Sequence, residues 1–347
     1  MSDAPKPADE QSGENYDDRP IRAEAELPPE VQAPLAIFAG AEPPSPQWFK
    51  DAVAQAPERI FVDSLGSKIE LLTWGEIGKP GLLLAHGNSA HAGWWSFIAP
   101  FLANDYRVAA MSLAGMGQSD WRDQYRFEDF AADAEACARA AGLYESGKKP
   151  IYVGHSFGGI LISHTTVTHP ELMRAAVLVD TVFSRRPPPK PGEEAEGPRI
   201  LPSADRVNRV YPTMAAALAR FRLMPPQVAG EIFTADFIAR GSLKEAPLPD
   251  GSGTGWTWRF DPQMWNKMDP GALRRVRSGE KLAVGVPMAH LYGAESTMLA
   301  NSLTQGASPL PDDIIKIAIP AANHHVMIDQ PLALVTALRA LLAVWPA

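Results

Sequence analysis

A serine between two glycines is the most informative chemical feature of this sequence. Gly154, Ser156 and Gly158 form a G-x-S-x-G pattern, after an apolar run that ends at Val153 and before a helical pattern that begins at Phe157. The pattern is typical of a sharp strand-to-helix turn that exposes a nucleophilic serine. Such a hydroxyl attacks a carbonyl carbon when a neighbouring base removes its proton. Because the pattern is short, this interpretation depends on a base and an acid farther along the chain.

Two adjacent histidines near the C-terminus are candidates for the base. His324 and His325 follow a predicted strand over residues 314–319 and precede a final helical pattern. The chain order serine, acid, histidine is one of three common orders of a catalytic triad. Asp329 lies five residues after His324, and this spacing favours His324 as the base. His325 is then interpreted as a neighbour that packs beside the site.

Two carboxylates compete to orient the histidine. Asp180 follows the predicted strand 175–179, and Glu295 follows the predicted strand 288–292. Both lie at the carboxyl ends of their strands, the edge at which the serine and the histidine are expected. The usual acid position after the later strand holds Ser296, which cannot carry a negative charge. We therefore prefer Asp180 and keep Glu295 as the alternative.

The negative charge that develops on an attacked carbonyl oxygen needs two hydrogen-bond donors. The backbone N–H of Phe157 is one candidate, since this residue follows the serine. The backbone N–H of Asn88, in the loop after the predicted strand 82–85, is the other. An aromatic-rich segment around residues 256–260 favours an apolar or aromatic substrate. Three residues are candidates for the substrate pocket: Trp95, His155 and Trp258.

Short apolar runs that alternate with helical patterns predict the elements that position these residues. A hairpin is predicted over residues 60–62 and 68–73. Further strands are predicted at residues 82–85, 107–113, 151–153, 175–179, 288–292 and 314–319. Helices are predicted at residues 94–102, 127–141, 157–169 and 332–342. This alternation predicts a mostly parallel sheet that is covered by helices on both faces.

The alternation is interrupted once, by roughly 100 residues without clear strands, a length typical of a functional insertion. We expect an α/β core over residues 47–184 and 286–347, with residues 185–285 inserted as a helical lid between strands 6 and 7. Residues 1–46 are rich in proline and acidic side chains and are predicted to be partly disordered. Within them, the apolar stretch 31–40 is interpreted as an arm that packs on the body or on a second copy in a homodimer.

These motifs, taken together, resemble the α/β-hydrolase superfamily. The resemblance covers about residues 48–345 and is carried by four segments: His86-Gly87, Gly115-Met116-Gly117-Gln118-Ser119, Gly154 to Gly159 and Asn323-His324. It implies an eight-stranded, mostly parallel sheet and a serine, histidine and acid triad. The layout is also similar to that of epoxide hydrolases and haloalkane dehalogenases, but those enzymes use an aspartate nucleophile. Ser296 departs from the common pattern, and an acid at Asp180 corresponds to a variant known in the superfamily.

Composition limits the partners and the compartment. A net charge of −8 argues against a nucleic-acid partner, because phosphate contacts need clustered Lys and Arg side chains. A single cysteine, Cys137, excludes an internal disulfide framework and is typical of a reducing compartment. We expect a cytoplasmic protein, since no secretory signal and no apolar run of membrane-spanning length is visible. No metal or cofactor is expected, because the histidine spacings do not fit a zinc site.

Three functions remain open from these residues. The first is hydrolysis of a carboxylic ester or lactone through an acyl-enzyme on Ser156. The second is hydrolytic cleavage of a carbon–carbon bond in a product of aromatic ring opening, with the same three residues. The third is a non-catalytic ligand receptor on the same fold, which the intact serine, histidine and acid argue against. In each case the partner is a small molecule.

Overall fold

The computed structural model describes residues 27–183, 207–269, 285–304, 310 and 313–345. The described strands are β1 Glu58–Ser64, β2 Ser67–Trp74, β3 Gly81–Ala85, β4 Arg107–Met111, β5 Ile151–His155, β6 Ala175–Val179, β7 Leu243–Pro247, β8 Thr254–Trp258, β9 Met288–Gly293 and β10 Ile315–Ile319. The described α-helices are α1 Pro29–Gln32, α2 Gln47–Val53, α3 Phe127–Ala140, α4 Phe157–Thr168, α5 Met214–Leu218, α6 Ile232–Gly241, α7 Thr297–Thr304, α8 Val326–Asp329 and α9 Pro331–Val344.

Eight of these strands form one sheet in the order β1-β2-β4-β3-β5-β6-β9-β10. The β1–β2 and β2–β4 pairs are antiparallel, and all the other pairs in this sheet are parallel. The predicted hairpin and the predicted mostly parallel sheet are therefore confirmed. Strands β3, β5, β6, β9 and β10 run in the same direction, so the loops after them meet at one edge of the sheet.

Both faces of the sheet are buried, which explains why its central strands are continuous apolar runs. Leu82 and Leu84 of β3 contribute to a core on one face, which α9 and the insertion helix α6 also line. Leu83 and Ala85 contribute to the core on the other face, together with α3 and α4. Side chains alternate between the two faces because successive residues of a strand point in opposite directions.

The helix predicted at residues 94–102 is wrong. Two short 3₁₀ turns, Ala92–Trp95 and Ala99–Phe101, occupy this stretch. Pro100 lies within the second turn. Proline has no backbone N–H and its ring clashes with the carbonyl four residues earlier, so a continuous α-helix through this position is disfavoured.

The insertion between β6 and β9 contains strands as well as helices. Its described residues, 207–269, include α5, α6 and an antiparallel hairpin of β7 and β8. The expectation of a segment without strands therefore needs correction. In β8 the side chains alternate between buried and half-buried positions, with Trp256 and Trp258 on the more exposed side. Residues 185–206 and 270–284 of the predicted insertion lie outside the described residues.

The segment that precedes the sheet packs on the insertion of the same chain. Leu35 is buried, and Arg240 of α6 donates a hydrogen bond of 2.8 Å to the carbonyl oxygen of Gly40. Trp48 and Phe49 contact the ring of Phe233 with centroid distances of 5.8 and 4.8 Å. This segment therefore connects the sheet domain with α6. Residues 1–26, which include most of the predicted disordered tail, lie outside the described residues.

Candidate active site

Ser156 lies at the turn from β5 to α4 with a backbone conformation of φ 50° and ψ −115°. A positive φ is uncommon for a residue with a side chain and indicates local strain. A Cβ atom at Gly154 would approach the backbone of Gly158 to 2.6 Å, and one at Gly158 would approach the carbonyl oxygen of Ala85 to 2.8 Å. The glycines of the motif are therefore required by close backbone packing. The N–H of Ser156 donates to the carbonyl oxygen of Val179 at 3.0 Å, which ties the turn to β6.

Three side chains meet at the carboxyl edge of the sheet. The Ser156 hydroxyl oxygen is 2.9 Å from Nε2 of His324. Nδ1 of His324 is 2.7 Å from Oδ2 of Asp180. A carboxylate only accepts hydrogen bonds, so Nδ1 carries the proton in the neutral imidazole and Nε2 is free to accept one from the serine. This arrangement can transfer a proton from the serine to the histidine.

Asp180 is fully buried, and three donors surround its carboxylate. Besides His324, the backbone N–H of Gly293 donates to Oδ1 at 3.1 Å and the hydroxyl of Ser296 donates to Oδ2 at 2.7 Å. Ser296 thus occupies the usual acid position but donates a hydrogen bond to an acid from a different strand. The side chain of Glu295 is exposed. Of the two candidate acids, the structure brings Asp180 against His324.

The loop after β3 lies directly beside Ser156. A Cβ atom at Gly87 would be 3.3 Å from Cβ of Ser156 and 2.9 Å from Nδ1 of His155, so only glycine permits this approach. Asn88 is the next residue of the loop and its side chain is exposed. Phe157 is the first residue of α4, and the first N–H groups of a helix have no partner within it. The two predicted donors therefore lie in the segments next to the serine.

Two buried histidines flank His324. The rings of His155 and His325 each lie 5.0 Å from the ring of His324. Burial lowers the pKa of His155 to about 3, and it lowers the pKa of His325 well below the usual value. Both rings are therefore neutral near pH 7. A positive charge that forms on His324 during proton transfer is not opposed by charge on either neighbour.

The predicted pocket residues have different surroundings. Trp95 is completely buried in the core and does not present a surface to a ligand. His155 is also buried, and its Nε2–H donates to the carbonyl oxygen of His324 at 3.0 Å. Trp258 is half-buried and contacts the rings of Tyr211 and Phe221 within the insertion.

Three further side chains lie at this site. Trp94 contacts the rings of His155 and His325, with centroid distances of 6.4 and 5.7 Å. Trp265, from the insertion, contacts the ring of Phe157 at 5.3 Å. Gln227, also from the insertion, hydrogen-bonds His325. The sequence makes Trp94, like its neighbour Trp95, a candidate for the pocket, whereas no sequence signal identifies Gln227 or Trp265.

Within the described ranges, no group of three or more His, Cys, Asp and Glu side chains is arranged to hold a metal ion. None of the described helices is long and apolar enough to span a membrane.

The family of the chain follows from its sequence as well as from this geometry. Residues 82–338 match the model of the alpha/beta hydrolase family, and the chain belongs to that family. The match covers the strands and loops that carry the serine, the acid and the histidine. The thioesterase domain from the curacin biosynthetic pathway has the same fold, with a TM-score of 0.59 and 20% sequence identity over 82% of this chain and 99% of that domain.

Two relatives illustrate the range of names in this group. The lipase LipV of Mycobacterium tuberculosis is 34% identical over 31% of this chain and 39% of its own length. The human 1-acylglycerol-3-phosphate O-acyltransferase ABHD5 is 27% identical over 79% of this chain and 80% of its own length. The chain matches only 33 to 39% of the length of LipV and of three further curated relatives.

Proposed function

We propose that this protein is a serine hydrolase that cleaves a carboxylic ester or lactone through an acyl-enzyme intermediate. The observation that carries the proposal is the continuous hydrogen-bonded relay from Ser156 through His324 to Asp180, with distances of 2.9 and 2.7 Å. A serine needs an adjacent base to act as a nucleophile at neutral pH, and the base needs a group that orients it. The relay supplies both.

In the proposed mechanism, Ser156 Oγ attacks the carbonyl carbon while Nε2 of His324 accepts its proton. Asp180 holds the imidazole by its Nδ1–H and stabilises the imidazolium without taking its proton. The backbone N–H groups of Phe157 and Asn88 stabilise the oxyanion. His324 then donates its proton to the leaving alkoxide, which releases the alcohol. Water, deprotonated by His324, attacks the acyl-enzyme, and the collapse of this second intermediate frees the acid and regenerates the serine.

The surroundings of the relay support a small apolar or aromatic substrate. Trp94 contacts both histidines that flank His324, and Trp265 contacts Phe157, a proposed oxyanion donor. Trp94 thus lies next to the neighbours of His324, and Trp265 lies next to the oxyanion side of Ser156. The names of LipV and ABHD5, a lipase and an acyltransferase, both describe chemistry at acyl groups, which is consistent with this proposal.

The insertion is proposed to act as a lid over this site. Its residue Gln227 hydrogen-bonds His325, the neighbour of the relay's histidine, and its residue Trp265 contacts Phe157 on the oxyanion side. The backbone N–H of Asp261 in the insertion also donates to the carbonyl oxygen of Gly115 in the sheet domain at 2.7 Å. An insertion docked at several points of the strand edge is suited to exclude water from a bound ester.

A fluorophosphonate probe tests the proposal, because it reacts with a serine only when that serine is activated. We expect covalent labelling of the folded protein at Ser156 and no labelling of the Ser156→Ala variant. A panel of short esters, lactones and ring-fission products then distinguishes acyl-ester from carbon–carbon hydrolysis, with Ser156→Ala as the blank. A folded wild-type protein that is not labelled would contradict the proposed hydrolase activity.

A further inference from the structure

The backbone around His324 is held by three side chains, at the consecutive residues Asn323, His324 and His325. The carboxylate of Asp329 accepts a hydrogen bond of 2.7 Å from the N–H of Asn323. The imidazole of His155 donates to the carbonyl oxygen of His324 at 3.0 Å. The side-chain oxygen of Gln227 accepts from the N–H of His325 at 3.0 Å. The position of the His324 ring therefore depends on these three contacts as well as on its bond to Asp180.

Gln227 is the member of this set that belongs to the insertion. Its Nε2 donates to both carboxylate oxygens of Asp329, at 3.0 and 2.9 Å. Its Oε1 also accepts from Nδ1–H of His325 at 2.8 Å. The side chain is 8% exposed, so water does not readily replace these bonds. One amide thus connects His325 and Asp329, which both follow His324 in the chain, with the inserted segment.

The chemistry of the contacts specifies a glutamine. A carboxylate only accepts and a backbone N–H only donates, so the amide nitrogen must face Asp329 and the amide oxygen must face His325. A glutamate in this place would lose both donors and would put a second negative charge beside Asp329. Burial already raises the pKa of Asp329, which shows that additional negative charge is unfavourable there.

The same part of the insertion makes two more bonds to this region. The N–H of Gly230 donates to Oδ1 of Asp329 at 3.1 Å, and the N–H of Glu231 donates to the carbonyl oxygen of Ile328 at 3.0 Å. A Cβ atom at Gly230 would come within 2.8 Å of Cα of Asp329, so the two backbones are in close contact. The inserted segment 227–231 is therefore docked on the residues that follow the histidine.

We propose that Gln227 is a positioning residue that couples docking of the insertion to the placement of the His324 imidazole. The inference rests on the proposed hydrolase function. A displacement of a reacting group by about 1 Å can cost roughly 100-fold in rate, and the three contacts described above hold the backbone at Asn323, His324 and His325. A docked insertion then stabilises the reactive geometry, and an undocked one relaxes it.

The first test replaces Gln227 by a side chain of similar length that cannot hydrogen-bond. In Gln227→Met we expect kcat on a short ester to fall by about 10- to 100-fold, with KM changed only a few-fold. The rate of fluorophosphonate labelling of Ser156 should fall by the same factor. The matched control is Gln330→Met, since within the described part of the chain the Gln330 amide makes one exposed bond of 3.4 Å, to the carbonyl oxygen of Ala321. Equal effects of the two substitutions would overturn the proposal.

A polarity exchange separates positioning from packing. Gln227→Glu alone should reduce kcat strongly, because two carboxylates then face each other. Combining it with Asp329→Asn restores a donor between the two side chains, and we expect kcat to recover at least tenfold relative to Gln227→Glu. An additive double-mutant cycle would contradict the proposal. The exchange also remains informative if Gln227→Met does not fold.

A spectroscopic measurement distinguishes failure of this inference from failure of the proposed function. The Nδ1 proton shared by His324 and Asp180 should give a far-downfield ¹H NMR signal, assigned by its loss in Asp180→Asn. In Gln227→Met we expect this signal to broaden or disappear, and in Gln330→Met to persist. An unchanged signal in folded Gln227→Met would refute positioning through Gln227, whether or not wild-type Ser156 is labelled by the probe.

Discussion

The elbow at residues 154–159 and the histidine loop at residues 320–325 place their reactive side chains in different ways. In the elbow, backbone packs against backbone, and a methyl group added at Gly154 or Gly158 would meet main-chain atoms within 3 Å. In the histidine loop, the backbone donates hydrogen bonds to the side chains of Asp329 and Gln227 and accepts one from the side chain of His155.

The elbow is therefore held by contacts between nearby segments, whereas the histidine loop is held by contacts between residues far apart in the chain. The elbow depends on residues within one turn and on the adjacent strands, so its geometry is set as soon as the sheet forms. The loop depends on a glutamine 98 positions away from His325 in the chain and on a histidine 169 positions away from His324. We therefore expect the elbow to be sensitive to volume and the loop to be sensitive to hydrogen bonding.

The largest expected effect concerns the acid that orients the loop's histidine. Asp180→Asn should lower kcat by roughly 10³-fold or more, because an amide no longer selects the reactive tautomer of His324. The matched control, Glu295→Gln, should leave kcat within about twofold, since the Glu295 side chain is exposed. Steady-state kinetics on a short ester measure both variants. The reverse result, with Glu295→Gln inactive and Asp180→Asn active, would show that the acid is misassigned.

The second prediction tests volume at the elbow. Gly158→Ala should lower the free energy of unfolding by about 1–3 kcal/mol, because the added methyl overlaps the carbonyl oxygens of Ala85 in β3 and His86 in the loop after it. Urea denaturation measures this change. Val167→Ala, on the exposed side of the same helix, should change stability by less than about 0.5 kcal/mol. Equal stabilities of the two variants would mean that the elbow tolerates volume.

The third prediction tests the hydrogen bond from Ser296 to the acid. Ser296→Ala removes one of the three donors to Asp180. The loss of a bond to a charged group costs about 1.5 kcal/mol, so kcat should fall roughly tenfold. Ser296→Thr keeps the hydroxyl and should retain most of the activity. If the alanine and threonine variants lose activity equally, the hydroxyl does not support Asp180.

The smallest expected effect concerns His155, the neutral histidine beside the loop, and the pH dependence of the free energy of unfolding. The folded-state pKa of His155 is about 3, below its ordinary value of 6.5, so the unfolded chain binds a proton that the folded chain excludes. Its contribution to folding stability is thus constant above about pH 6.5 and decreases as the pH falls toward 3, by up to about 1.4 kcal/mol per pH unit.

Urea denaturation between pH 7.5 and 4 measures this decline. In His155→Gln, which has no titrating ring, the slope should be less steep than in the wild type. Parallel slopes for the two proteins would show that His155 is protonated in the folded state. His290, whose pKa burial lowers to about 4, provides a comparison outside the loop, and His290→Gln should reduce the slope in the same pH range.

Much of the fold could be predicted from the sequence because each signal was local. The glycines around Ser156 and the apolar runs at residues 82–85 and 175–179 identify an elbow and two buried strands. The 3₁₀ turns around Pro100 were missed because the apolar pattern of this stretch is typical of a helix. Pro100 has no backbone N–H, and it therefore disfavours a continuous α-helix through this position. The hairpin in the insertion was missed because its strands are only half-buried and therefore lack a continuous apolar run.

The candidate site was only partly predictable for a different reason. The spacing between His324 and Asp329 is visible in the sequence, and the structure supplies its cause, a hydrogen bond from the loop's Asn323 to the Asp329 carboxylate. The acid remained open between two residues, because the ends of adjacent parallel strands are equivalent until side-chain directions are known. The carboxylate of Asp180, oriented by Gly293 and Ser296, meets His324.

The sequence by itself determined the α/β-hydrolase family and the local form of the elbow, since steric requirements at Ser156 restrict the residues two positions before and after it. Tertiary structure alone decided which acid faces His324, why Ser296 stands at the usual acid position, and that Gln227 reaches the histidine loop. These contacts join residues that are far apart in the chain. Their distances depend on how the strands and the insertion pack, and no local pattern encodes that packing.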